Sequence, residues 1–150
     1  MKALILIFVI VFSCTVSHGQ VKEDDYKKMI DTAIIMQTTG YSKTPYRSGI
    51  YLIDSKDQIY ILTSNTDKKK FGYINVYDKK NKKLLKKGVN VWKVLPVLSG
   101  NKLVVSIIDF NVTYKKNNYN FANVGGATVT FEYLCDQNKW VFKETNWSGI

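Results

Sequence analysis

The chain has 150 residues, and its 22 Lys and Arg against 12 Asp and Glu give a formal net charge of +10 at pH 7. This length is typical of a single domain. His18 is the one histidine, and Cys14 and Cys135 are the two cysteines. These counts are too low for a His/Cys zinc site, and a Ser-His-Asp arrangement is not expected because His18 lies in the N-terminal segment that should be removed on export. We therefore expect no metal, no cofactor and no catalytic residues.

The N-terminus has the order of a secretory signal peptide. Lys2 precedes the apolar run Ala3–Phe12, and small or polar residues follow as far as Gly19. The run is shorter than the ~20 apolar residues that a transmembrane helix needs. We therefore expect residues 1–19 to be removed, and residues 20–150 to form one exported domain without a transmembrane span, in the periplasm or outside the cell.

A second processing route involves Cys14. The segment Val11–Cys14 has the form of a lipobox, although Phe12 is bulky for that motif. Lipidation of Cys14 would leave the protein anchored to a membrane rather than free. Both routes export the chain, and the mass of the mature form distinguishes them.

The segment Glu23–Gln37 has the spacing of an amphipathic helix. Its apolar stripe repeats at i, i+3, i+4 and i+7, and acidic residues at 23–25 suit the positive end of the helix dipole. The helix face with this spacing consists of Tyr26, Met29, Ile30, Ala33, Ile34 and the polar Gln37. We expect this face to pack in the concavity of a sheet, with the helix ending at residues 38–40.

From Ile50 onward the period changes to two, which indicates strands. In chain order the predicted strands are Ile50–Asp54, Gln58–Thr63, Phe71–Tyr77, a weak Lys82–Lys87, Val89–Leu98, Leu103–Tyr114, Ala127–Cys135 and Trp140–Trp147. The short connections suit antiparallel neighbours. The fold class is therefore α+β, with one N-terminal helix packed on a strongly curved antiparallel meander of seven to eight strands. The alternative is a small β-barrel with a helix at one end.

Lysines cluster in the middle of the chain. They are Lys68, Lys69, Lys70, Lys79, Lys80, Lys82, Lys83, Lys86 and Lys87. Such a basic patch either solvates turns and strand edges or binds an anionic partner. Nucleic acid is not expected, because Arg47 is the single arginine and the bidentate guanidinium favours base and phosphate recognition.

Aromatic side chains on the strands are candidates for lining a pocket in the curved sheet. The set is Tyr73, Trp92, Tyr114, Tyr133 and Trp140. Their competing interpretation is core packing and cross-strand pairing. Cys135 lies in an apolar predicted strand, where it alternates with Glu132 and Leu134, so it is expected to be a buried small hydrophobe.

Two functional hypotheses follow. The first is an exported non-catalytic binding protein of the bacterial cell envelope, which interacts with another protein, as an inhibitor or immunity protein does, or with an anionic surface molecule. The second is a small-molecule-binding protein with its pocket in the curved sheet, with or without weak enzymatic activity. The small size, the export signal and the missing catalytic groups favour the first.

Overall fold

The computed structural model describes residues 23–40, 49–63 and 71–149. Within them the fold is α+β, with one long helix, a short helical segment and a six-stranded mixed sheet. The elements are α1 (Glu23–Gly40), β1 (Ile50–Ile53), β2 (Phe71–Gly72), a 3₁₀ turn (Lys79–Asn81), α2 (Lys82–Leu85), β3 (Val89–Ser99), β4 (Lys102–Lys115), β5 (Asn118–Leu134) and β6 (Lys139–Gly149). The strand order is β2-β1-β3-β4-β5-β6.

The helix forms as its periodicity predicts and covers one face of the sheet. Its side chains Met29, Ile30, Ala33 and Ile34 are buried against Leu52, Trp92, Val94, Leu103, Val105, Ile107, Val129 and Phe131. We call this side of the sheet the helix face. The helix ends at Gly40, within the predicted residues 38–40, and the hydroxyls of Thr38 and Thr39 donate to the carbonyls of Ile35 and Met36.

A second, smaller core lies on the opposite side of the sheet. Residues 73–88, which connect β2 to β3, bury Ile74, Val76 and Leu85 against Ile53, Val89, Val91, Val112 and Tyr114. We call residues 73–88 the crossover and this side the crossover face. Because strand side chains alternate between faces, β3 supplies Trp92 to one core and Val91 to the other. The sheet is thus covered on both faces near β1.

The prediction of an antiparallel meander holds for β3 to β6 but is wrong at the other edge of the sheet. β1 pairs in parallel with both β2 and β3. With both of its edges occupied, β1 leaves no position for a strand at Gln58–Thr63, which makes a single bridge between Ile53 and Ile59. The β-barrel alternative is also wrong, because β2 and β6 are the two edges of an open sheet.

Two further predicted strands take other forms. After Gly72 the chain leaves the sheet and enters the crossover, so the segment Phe71–Tyr77 contributes two strand residues. Lys82–Lys87 is helical where a weak strand was predicted. The described strands therefore number six rather than seven to eight.

The last hairpins are longer than predicted. β5 begins at Asn118 instead of Ala127, because the turn after β4 consists of Lys116 and Asn117, with φ of 48° and 63°. Positive φ at both central residues matches the twist that a two-residue hairpin requires. Gly125 and Gly126 lie within β5, where the pairing shifts between Asp109 and Phe110. Val124 is the extra residue of β5 at this shift, so a β-bulge lies directly before the two glycines.

Cys135 is exposed, and its predicted burial is wrong, because β5 ends at Leu134 and Cys135 begins the following turn. No helix among residues 23–40, 49–63 and 71–149 is long and apolar enough to cross a membrane. The predicted signal segment, including Cys14, lies outside the described residues.

Candidate functional site

The helical part of the crossover presents most of the predicted lysine patch to solvent. Asp78 starts it, since its carboxylate accepts a hydrogen bond from the backbone N–H of Lys80 at 2.9 Å. Leu85 anchors it, with a fully buried side chain in the smaller core. Lysine and leucine are good helix formers. The segment therefore turns its apolar anchor inward and five exposed lysines outward: Lys79, Lys80, Lys83, Lys86 and Lys87.

Lys82 fixes this segment to the sheet. Its ammonium group donates to the hydroxyl of Tyr114 at 2.8 Å and lies 4.5 Å from the centre of that ring. The hydrogen bond to Tyr114 raises the pKa of Lys82, so the side chain is charged at physiological pH. The Tyr114 hydroxyl in turn donates to Asn117 at 3.1 Å.

These contacts bring the tip of the β4–β5 hairpin beside the crossover. Lys115 and Lys116 follow Tyr114 directly and are exposed. Gly88, at the end of the crossover, also lies against β4, where an added Cβ would be 3.4 Å from Asn111. We call the combined set the composite basic surface: Lys79, Lys80, Lys82, Lys83, Lys86, Lys87, Lys115 and Lys116.

The composite basic surface is not neutralised by acids of the described chain. Ion pairs occur elsewhere, between Lys27 and Asp31, Lys28 and Asp25, Lys93 and Asp57, and Lys143 and Glu132. Among the described residues, none of the eight lysines forms an ion pair, and the nearby Asp78 is used as the cap. Clustered cations without counter-ions raise the local concentration of anionic partners.

Three tyrosines connect the two parts of this surface. Tyr119 lies 4.9 Å from Tyr114 and 5.1 Å from Tyr77, measured between ring centres. The hydroxyl of Tyr77 donates to Asp57 at 3.1 Å, and burial together with this hydrogen bond raises the pKa of Tyr77. The contacts hold the crossover, the hairpin and the Asp57 turn in one fixed arrangement.

The structure does not assemble the five predicted pocket aromatics into one site. Trp92 is in the core of the helix face, whereas Tyr114 is in the core of the crossover face. Tyr133 and Trp140 pair across β5 and β6 with ring centres 5.4 Å apart, and Tyr73 is exposed. Trp92, Tyr114, Tyr133 and Trp140 act as core or cross-strand partners, and alternation places Trp92 and Tyr114 on different sides of the sheet. Lys68, Lys69 and Lys70 lie outside the described residues.

A cavity of about 590 Å³ lies beside α1 instead of within the sheet. Its lining is Lys28, Asp31, Thr32, Ile35, Met36, Thr39, Leu62 and Thr63. This volume is within the range of small-molecule sites. The sequence offered no signal for it, because it depends on how residues 61–63 lie along the helix.

Asp31, on the wall of this cavity, is held by structural hydrogen bonds. Its carboxylate accepts from Lys27 and from Tyr60, each at 2.7 Å, and from the backbone N–H of Thr63 at 2.7 Å. Burial opposes ionisation, but these donors outweigh it, and the pKa of Asp31 is lowered. Burial and the Asp31 carboxylate raise the pKa of Tyr60, which stays protonated as a donor. The cluster ties residues 60–63 to α1.

The described residues contain no group of three His, Cys, Asp or Glu side chains that could hold a metal ion. Comparison with protein-family models, with curated proteins and with solved structures gives no match to this chain.

Proposed function

We propose that the protein is an exported, non-catalytic binding protein of the bacterial cell envelope, and that the composite basic surface binds an anionic partner. The observation that carries the proposal is the set of eight lysines that converge from two separate segments without a carboxylate partner among the described residues. Lysines that only keep a turn in contact with water need not come together from two separate segments of the chain.

The fixed geometry of the surface supports binding. Lys82, Tyr114 and Asn117 form a chain of hydrogen bonds between crossover and hairpin. A surface that is already ordered loses less conformational entropy when a partner binds. Asp31 supports the non-catalytic part of the proposal, because its three donors occupy the carboxylate in a structural role.

A soluble polyanion tests the proposal, and heparin is a suitable probe. Lys79, Lys80, Lys83 and Lys87 are exposed, and their side chains make no hydrogen bond or ion pair with the described residues, so changing all four to Gln should leave the fold intact. We expect the change to weaken heparin binding at least about 30-fold at low salt. Since the salt dependence reflects the number of charge contacts, the slope of log K against log salt should fall by roughly half.

The matched control changes four exposed lysines outside the surface to Gln: Lys28, Lys56, Lys102 and Lys139. Both variants have the same net charge, so a difference between them reports location. Isothermal titration calorimetry at several salt concentrations measures the heparin affinity and its salt dependence. Equal loss of affinity in the two variants, or no heparin binding by the unchanged chain, would contradict the proposal.

A further inference from the structure

One large apolar side chain is exposed in the middle of the composite basic surface. Leu84 is 39% exposed, while its neighbour Leu85 is fully buried. Helical spacing places Lys80, Leu84 and Lys87 on one side of the segment, with Lys83 adjacent to them. The crossover therefore presents an exposed leucine on the same helical stretch as three exposed lysines.

Leu84 has no role in the core of the described fold. Leu85 alone anchors α2 in the smaller core, together with Ile74 and Val76 from the same crossover. Tyr77 is 47% exposed, and Tyr119 packs against it at a ring-centre distance of 5.1 Å. The surface thus combines cations, one aliphatic side chain and a phenol on rigid backbone.

These three kinds of group differ in what they require of a partner. A soluble polyanion satisfies the ammonium groups but leaves Leu84 in water. The interface of an anionic bilayer satisfies all three, because phosphate headgroups attract lysines, the acyl boundary accepts apolar side chains, and tyrosine rings favour the headgroup level. Lysine is suited to mobile phosphates, which it binds as a point charge without a fixed bidentate geometry.

We propose that the partner of the composite basic surface is the anionic phospholipid headgroup layer of a membrane, with Leu84 inserted at the acyl boundary. The inference rests on the proposed function, since it names the anionic partner. Each lysine close to an anionic bilayer increases affinity about fivefold. Several lysines and one inserted leucine therefore give reversible attachment of the folded domain.

Vesicle co-sedimentation tests the inference with Leu84→Gln and, as a matched control, Leu98→Gln. Leu98 is 51% exposed near the end of β3, in the β3–β4 hairpin, and is not part of the composite basic surface. The vesicles contain phosphatidylglycerol and phosphatidylcholine, or phosphatidylcholine alone. All chains carry the same N-terminus, so only differences between variants and between lipids are interpreted. Heparin binding of each variant is measured in parallel.

We expect stronger binding to the anionic vesicles, a loss of about 3- to 10-fold for Leu84→Gln, and no change for Leu98→Gln. Heparin binding by Leu84→Gln should be unchanged, which also shows that the fold is intact. Heparin binding without a preference for anionic vesicles would overturn the membrane inference and leave the proposed function standing, with an acidic macromolecule as partner. Equal vesicle binding by both leucine variants would also overturn it, and binding to neither probe would overturn both proposals.

Discussion

Substitution of Gly126 by alanine is expected to destabilise the protein by about 3 kcal/mol, enough to unfold a marginal domain. Gly126 pairs with Ile108 in the centre of the sheet. An added Cβ would lie 2.3 Å from the carbonyl oxygen of Ile107 and 3.2 Å from the Cα of Ile108. Both are backbone atoms of β4, so the clash can be relieved only by separating two central strands.

Gly100→Ala is the control for this prediction. Gly100 lies in the β3–β4 turn with φ of 59°, and an added Cβ there meets no atom within 4 Å. The left-handed backbone alone should cost about 1 kcal/mol. Urea unfolding measures both free energies. If Gly126→Ala reduces the free energy of unfolding by no more than Gly100→Ala does, β4 and β5 accommodate the added methyl group and the prediction is wrong.

Asp31→Asn is expected to reduce the free energy of unfolding by about 2 kcal/mol at neutral pH. The substitution keeps the size of the side chain but removes the charge that Lys27, Tyr60 and the Thr63 N–H share. An amide replaces one of the two oxygens by an N–H₂ group, which then faces either the Thr63 N–H or the donors Lys27 and Tyr60, so at least one buried hydrogen bond is lost. Asp25→Asn is the control, because its contact with Lys28 is exposed and 3.5 Å long; it should change stability by less than about 0.5 kcal/mol.

The effect of Asp31→Asn should depend on pH. Because the pKa of Asp31 is lowered in the folded state, the unfolded chain takes up the proton first as pH falls. The stabilisation is therefore complete above the unfolded pKa of about 3.9 and is lost as pH falls through the folded value. The difference between the unchanged chain and the variant should be constant from about pH 7 to pH 5 and shrink below about pH 4. If the stability difference between the unchanged chain and Asp31→Asn is the same in strong acid, the negative charge of Asp31 is not its source.

The sequence predicts the elements whose signals are local. The apolar stripe of α1 identifies a buried helix face, and the period of two in Leu103–Tyr114 identifies a central strand. The parallel pairing of β1 with β3 depends instead on contacts between Ile50 and Asn90, which are distant in the chain. Strand periodicity contains no information about such pairing, so the antiparallel prediction failed there.

The crossover shows how a local signal was misinterpreted. Asp78 before a run of lysines and leucines is a helix start, because Asp caps and Lys and Leu propagate helices. Of Leu84 and Leu85, only Leu85 is buried. Leucines that stand among lysines fit the helical period of 3.6 and the strand period of two about equally well. Leu85 is buried in the smaller core together with Val89 and Val112, and this burial favours the helix.

The candidate site was predictable in part. The lysines of residues 79–87 are adjacent in sequence, so their grouping needs no fold. Lys115 and Lys116 join them only because Tyr114 packs under Lys82, a contact across 32 residues. The predicted aromatic pocket does not form. Trp92 and Tyr114 both lie on predicted strands, but the alternation of strand side chains places them on opposite faces of the sheet.

If the composite basic surface binds as one unit, a partner must cover the crossover and the hairpin tip together. Lysine acetylation measured by mass spectrometry, with and without bound heparin, tests this residue by residue. We predict that the rates at Lys79, Lys80, Lys83, Lys86, Lys87, Lys115 and Lys116 fall together, while those at Lys28, Lys56, Lys102 and Lys139 do not. Protection spread evenly over both sets, or protection of the crossover without Lys115 and Lys116, would contradict it.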